Sequence, residues 1–80
     1  MNAAMQPYRN LDGHSGVEAF ALADDEIVVR FRTGEQRTYG YNRASVGEAR
    51  LQRMKELAMQ GVGLNRYIHS DIGERYAWKR

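Results

Sequence analysis

Cysteine is absent and proline occurs once, at position 7. Without thiols the chain has no disulfide framework, no thiolate metal site and no cysteine nucleophile. Histidine is nearly as scarce: His14 and His69 alone cannot make a metal centre, and no spacing around them resembles one. No apolar run approaches the ~20 residues that span a bilayer. The opening Met1-Asn2-Ala3-Ala4-Met5-Gln6-Pro7 has neither the basic start nor the apolar stretch of a signal peptide. These absences set the expectation of a cytoplasmic protein with no metal, no cofactor and no membrane association. Eighty residues suit one small domain with one core.

The net charge of +2 hides an asymmetry. Residues 1–26 hold one base, Arg9, against five acids, whereas residues 27–80 hold eleven bases against five acids. A basic body of this kind fits an anionic partner such as nucleic acid, and equally a solvated surface.

Residues 1–15 are polar, carry Pro7 and Gly13, and show no periodicity, so they read as an irregular N-terminal tail. The domain is expected over 16–80. Residues 17–22 read as a first strand, followed by the acidic turn Ala23-Asp24-Asp25-Glu26. Ile27-Val28-Val29-Arg30-Phe31-Arg32 is the clearest strand, rich in β-branched and aromatic residues. Thr33-Gly34-Glu35 turns the chain, and residues 36–41 return as a third strand. Ser45, with Glu48 three residues on, reads as a capping box opening a helix over about 46–60. That helix can bury Met54, Leu57 and Ala58, leaves Lys55 and Glu56 toward the outside, and stops at Gly61. Leu64 and Ile68, at i and i+4, predict a short second helix over 64–69.

The fold class that follows is α+β: a three-stranded antiparallel meander packed on one face by an α-helix, plus a short second helix. Two helices of this size cover only one sheet face, so the open face is a place to look for function. The hairpin register decides what that face shows. A two-residue loop at Gly34-Glu35 sets Arg32 against Arg37, like charges directly opposite, and puts the tyrosines on the open face. A three-residue loop pairs Val29 with Tyr39 and turns Ile27, Val29, Phe31, Tyr39 and Tyr41 toward the helix. The second pairing is favoured because it separates the two arginines.

No arrangement of residues reads as catalytic machinery. His69-Ser70-Asp71 contains the letters of a triad, but adjacent side chains on a turn diverge. Gly13-His14-Ser15-Gly16 has the form of a nucleic-acid-gripping loop but precedes a strand rather than joining helices. Gly61-Val62-Gly63 follows a helix and reads as its stop. The basic and aromatic residues say more. Arg30, Arg32, Arg37, Arg66, Arg75 and Lys79 offer charge for phosphates, and Tyr41, Tyr67 and Trp78 offer flat faces for bases.

Val29-Arg30-Phe31-Arg32-Thr33-Gly34, Tyr39-Gly40-Tyr41 and the later Gly63-Leu64-Asn65-Arg66-Tyr67-Ile68 together resemble the KTSC domain over about residues 15–80. That domain occurs alone in small bacterial proteins and at the C-terminus of some lysyl-tRNA synthetases. The hairpin here is about two residues longer than in that family, and Ser45 stands in place of a proline before the helix. The resemblance implies no established activity and points toward RNA binding. Two expectations result: a non-catalytic module for RNA or another single-stranded nucleic acid, or a protein-interaction module. The second, a small regulator or inhibitor, would meet a protein partner or a second copy through its open sheet face or an edge strand.

Overall fold

β-Branched and aromatic residues at alternate positions give the sheet one apolar face, and the helices are laid on it. The structure, a computed structural model, describes residues 4–80 and is α+β. Five antiparallel strands lie side by side in chain order: β1 (Gln6–Pro7), β2 (Val17–Ala23), β3 (Glu26–Phe31), β4 (Thr38–Asn42) and β5 (Trp78–Lys79). Between β4 and β5 run α1 (Arg43–Val46), α2 (Glu48–Gln60), α3 (Leu64–Tyr67) and a π-helical turn, Ile68–Ile72.

Val29 pairs with Tyr39 and Ile27 with Tyr41, the register of the three-residue loop. The ladder stops at Phe31 and Thr38, however, so residues 32–37 all belong to the connection. Phe20, Ile27, Val29 and Tyr41 are buried under Leu51, Met54, Leu57, Leu64, Ile68 and Ile72. Leu51, fully buried, belongs to the same helical stripe as the expected Met54, Leu57 and Ala58.

Two expectations are corrected at the sheet edges. The meander has five strands rather than three, and part of the expected tail belongs to the fold. Gln6 pairs with Phe20 and Pro7 with Ala19, and proline, lacking an N–H, is tolerated there because β1 is an edge. Tyr8 is 4% exposed, and its hydroxyl accepts a 3.2 Å hydrogen bond from the Leu64 amide at the start of α3. Such first-turn amides have no partner within their helix. Leu11 donates its amide to Gly61 (2.8 Å), and the Arg9 guanidinium reaches the Met59 carbonyl, so this segment closes the C-terminal end of α2. The expected tail at residues 1–3 lies outside the described residues. At the other edge, Trp78 pairs with Gly40 and Lys79 with Tyr39. The segments expected to be exposed edge strands, 17–22 and 36–41, are therefore mostly interior to the sheet.

The helix start is also corrected. Asn42 caps α1, accepting from the Ser45 amide (2.8 Å), while the Ser45 hydroxyl accepts from the Asn42 amide (3.0 Å). Ser45 is thus the inner member of the capping box, not its cap. Gly47, at φ +88°, separates α1 from α2, a conformation that residues with a Cβ rarely adopt. Gly61 ends α2 in the left-handed conformation, its amide on the Leu57 carbonyl, as the sequence predicted. Lys55 turns back to the β2–β3 turn, where its ammonium donates to the carbonyls of Ala23 (2.7 Å) and Asp24 (3.0 Å). α3 does not simply end after Ile68: it widens into the π turn and stops at Gly73.

Candidate functional site

The β3–β4 connection overhangs the covered face at one end of the sheet, and α3 with its π turn approaches from the helix layer. Between them lies a cavity of about 560 Å³. Four aromatic rings line it: Phe31 from β3, Tyr39 and Tyr41 from β4, and Tyr76 from the segment entering β5. Phe31 and Tyr39 meet edge to face at 5.5 Å, Tyr39 and Tyr76 likewise at 5.2 Å, while Tyr39 and Tyr41 are near-parallel at 6.5 Å. Polar groups enter from every side: Gln36 from the connection, Asn65 from α3, His69 and Glu74 from the π turn and beyond, and Lys79 from β5.

Tyr41 sets the chemistry of the floor. It is 1% exposed, and burial, then Tyr39 and Tyr76, push its pKa well above the ordinary phenol value, so it is a neutral donor. No buried side-chain polar atom among the described residues lacks a partner, yet no hydrogen bond to the Tyr41 hydroxyl is formed within them. The hydroxyl is therefore not fully enclosed, and the cavity is the space that Tyr41 lines. Lys79, paired with Tyr39 across β4 and β5, lies with its ammonium 5.3 Å from the Tyr76 ring centre. The hydrogen-bonding pull of Tyr76 raises its pKa and keeps it cationic. This places a cation at the mouth of an aromatic pocket.

The expected binding residues are distributed over several surfaces. Tyr41 and Lys79 line the cavity. Tyr41 corrects the expectation of a free stacking surface: the register turns it under the helices and leaves only its hydroxyl open. Arg66 lines a second, adjacent cavity, and Tyr67 is half-buried against the core. Arg75 is exposed after the π turn. Arg32, also exposed, donates from its side chain to the Ser15 carbonyl (3.3 Å). Arg30 lies on the opposite, open sheet face, where a bulge in β2 brings the Glu18 carboxylate to 2.7 Å from its Nε. Arg37 approaches the same carboxylate at 3.9 Å.

Trp78 is on the open face as well, with its indole against Gly40 and Arg80. It lies across Gly40, where any Cβ would overlap the ring, and the Arg80 guanidinium stands 4.5 Å from the ring centre. Its Nε1 donates to Glu26 at 2.8 Å. Trp78, an expected stacking residue, is thus partly covered.

The sequence reading noticed Tyr39 and Tyr76 among the basic and aromatic residues without choosing them as contacts, and it did not assign Phe31, Asn65 or His69 to a binding surface. The favoured register already put Phe31 and Tyr39 on the correct face; only the cavity beside them was invisible. Ser70 donates to Asp71 at 2.6 Å and no His–Ser pairing forms, so these three residues make no triad. Among the described residues no group of three His, Asp or Glu side chains is placed to hold a metal ion, and no helix is long and apolar enough to cross a membrane.

No family model, curated protein or solved structure matches the chain.

Proposed function

We propose that the protein is a non-catalytic binding module that takes an unstacked base of RNA, or of another single-stranded nucleic acid, into the aromatic cavity. The observation that carries this reading is the convergence of four aromatic rings, a free tyrosine hydroxyl and a lysine ammonium on one cavity. Its volume lies within the roughly 300–1,000 Å³ range of ligand pockets. Single-stranded recognition works by splaying bases onto aromatic surfaces and reading their edges by hydrogen bonds. The Tyr41 hydroxyl and the amides of Asn65 and Gln36 supply such groups, and Lys79 meets a phosphate at the mouth. The basic body points the same way.

Binding is tested by titrating single-stranded RNA at two salt concentrations. Tyr76→Ala should weaken affinity by about 5- to 150-fold, the worth of one base–aromatic stack of roughly 1–3 kcal/mol. Lys79→Ala should reduce the log–log salt slope by about 0.7, one neutralised phosphate on a single strand. Undiminished affinity in both variants would exclude the cavity as the site.

A second reading, a protein-interaction module, is favoured by the sheet face that carries Val28, Arg30, Thr38 and Trp78, over which no helix packs among the described residues. A dimer in light scattering, with no nucleic-acid affinity at low salt, would establish it in place of the first.

A further inference from the structure

Directly behind Asn65 is a second cavity of about 370 Å³, lined by Tyr8, Asn10, Asp12, His14, Ser15, Arg66 and the Gly61-Val62-Gly63 connection. The two cavities share Asn65, and the consecutive residues Ser15 and Gly16 lie one on each. The Asn65 amide rests against Gly16, 3.7 Å from where a Cβ would stand, and it hydrogen-bonds no described residue. Asn65 therefore borders both cavities.

The lining differs in kind. The second cavity has one phenol, Tyr8, whose hydroxyl is already committed to the Leu64 amide, and one imidazole, His14. It has one guanidinium, Arg66, and one carboxylate, Asp12, both exposed and neither in an ion pair with a described residue. Its frame is held: Asn10 takes a positive φ of 55°, accepts the Ser15 amide on its side chain (3.0 Å) and the Gly13 amide on its carbonyl (2.9 Å). The loop carrying Asp12 and His14 is thus fixed at both ends. A carboxylate would repel a phosphate but accepts hydrogen bonds from hydroxyls, and a guanidinium grips a phosphate. The first cavity also holds a carboxylate, Glu74, and a cation, Lys79, but the second lacks its cluster of phenyl and phenol rings and so suits a sugar and its phosphate better than a second base.

We propose that the second cavity holds the ribose-phosphate adjoining the base in the aromatic cavity, with Asp12 accepting the 2′-hydroxyl and Arg66 pairing with the phosphate. This rests on the base-binding reading and adds to it a footprint of more than one nucleotide and a preference for RNA over DNA. The 2′-hydroxyl is the group by which a protein distinguishes the two polymers at a given site.

The test is a cycle of two ligands and four proteins: single-stranded RNA and DNA of one sequence, titrated against the native chain, Asp12→Ala, Arg66→Ala and Tyr76→Ala, with circular dichroism to show that each variant is folded. The native chain should bind RNA about tenfold more tightly than DNA, the worth of one hydrogen bond to a charged group. Asp12→Ala should bring the ratio close to one by weakening RNA alone, whereas Arg66→Ala should weaken both polymers and lower the salt slope. Equal binding of RNA and DNA by the native chain, with Tyr76→Ala still impaired, would overturn the sugar subsite and leave the base site standing. No binding of either polymer would overturn both.

Discussion

Tyr41 links the stability of the molecule to its site. Its phenol is buried and neutral, with a pKa raised first by burial and then by Tyr39 and Tyr76; Tyr8 is raised in the same direction, chiefly by burial. An unfolded tyrosine ionises near pH 10, so above that pH the unfolded chain has released protons the folded chain still holds. The stability contributed by these two phenols is therefore complete below about pH 10 and falls as pH rises beyond it. Phenolate absorbance should show Tyr41 ionising only as the fold is lost, and Tyr41→Phe should remove one late-ionising phenol. Reversible ionisation of Tyr41 near pH 10 with the fold intact would contradict its burial. Gly40 is constrained by contact rather than by conformation. A side chain there must displace the Trp78 indole, so Gly40→Val should break the bond to Glu26, shift Trp78 emission to the red and cost about 1–3 kcal/mol through overpacking. Unchanged emission would mean that the indole does not rest on the strand.

At the scale of elements, the helix layer depends on two short devices, the Asn42 cap and the glycine hinge at Gly47. Asn42→Ala should cost about 1 kcal/mol as the Ser45 amide loses its acceptor. Leu51→Ala, at the centre of the covered face, should cost about 2–5 kcal/mol through loss of contacts and the cavity left behind. Chemical denaturation measures both, and a smaller loss for Leu51→Ala than for Asn42→Ala would contradict the assignment of Leu51 to the core. The central strands, α2 and its stop at Gly61 are legible in the sequence because each repeats a period over several residues and ends in a residue that only a turn requires. The start of the helix layer is not, because Ser45 and Glu48 satisfy the capping pattern on their own. Nothing in that pattern shows that Asn42, three residues earlier, makes the same bonds first. Strands of two residues have no period at all, so β1 and β5 leave no trace in the sequence. Tyr8, the residue that fixes the N-terminal segment, is a lone aromatic among polar neighbours, and its partner Leu64 is 56 positions away. The favoured hairpin register is legible from charge alone, because the other pairing opposes Arg32 and Arg37.

At the scale of the whole molecule, basic and aromatic residues stand out in the sequence as a population but not as a site. Composition counts Arg30, Trp78, Lys79 and Tyr41 alike, whereas the sheet sends the first two to one face and the last two to the other. The cavity is made by the π turn and the β3–β4 connection facing each other across the end of the sheet, a juxtaposition with no local signature. Its proposed occupant is an unstacked base. The most direct measurement is the nuclear magnetic resonance of the aromatic side chains during titration with single-stranded RNA. The ring signals of Tyr39, Tyr41 and Tyr76 should move together and saturate while the Trp78 indole signal stays in place. Movement of Trp78 with the tyrosines unmoved would put the ligand on the open sheet face and contradict the base-binding proposal.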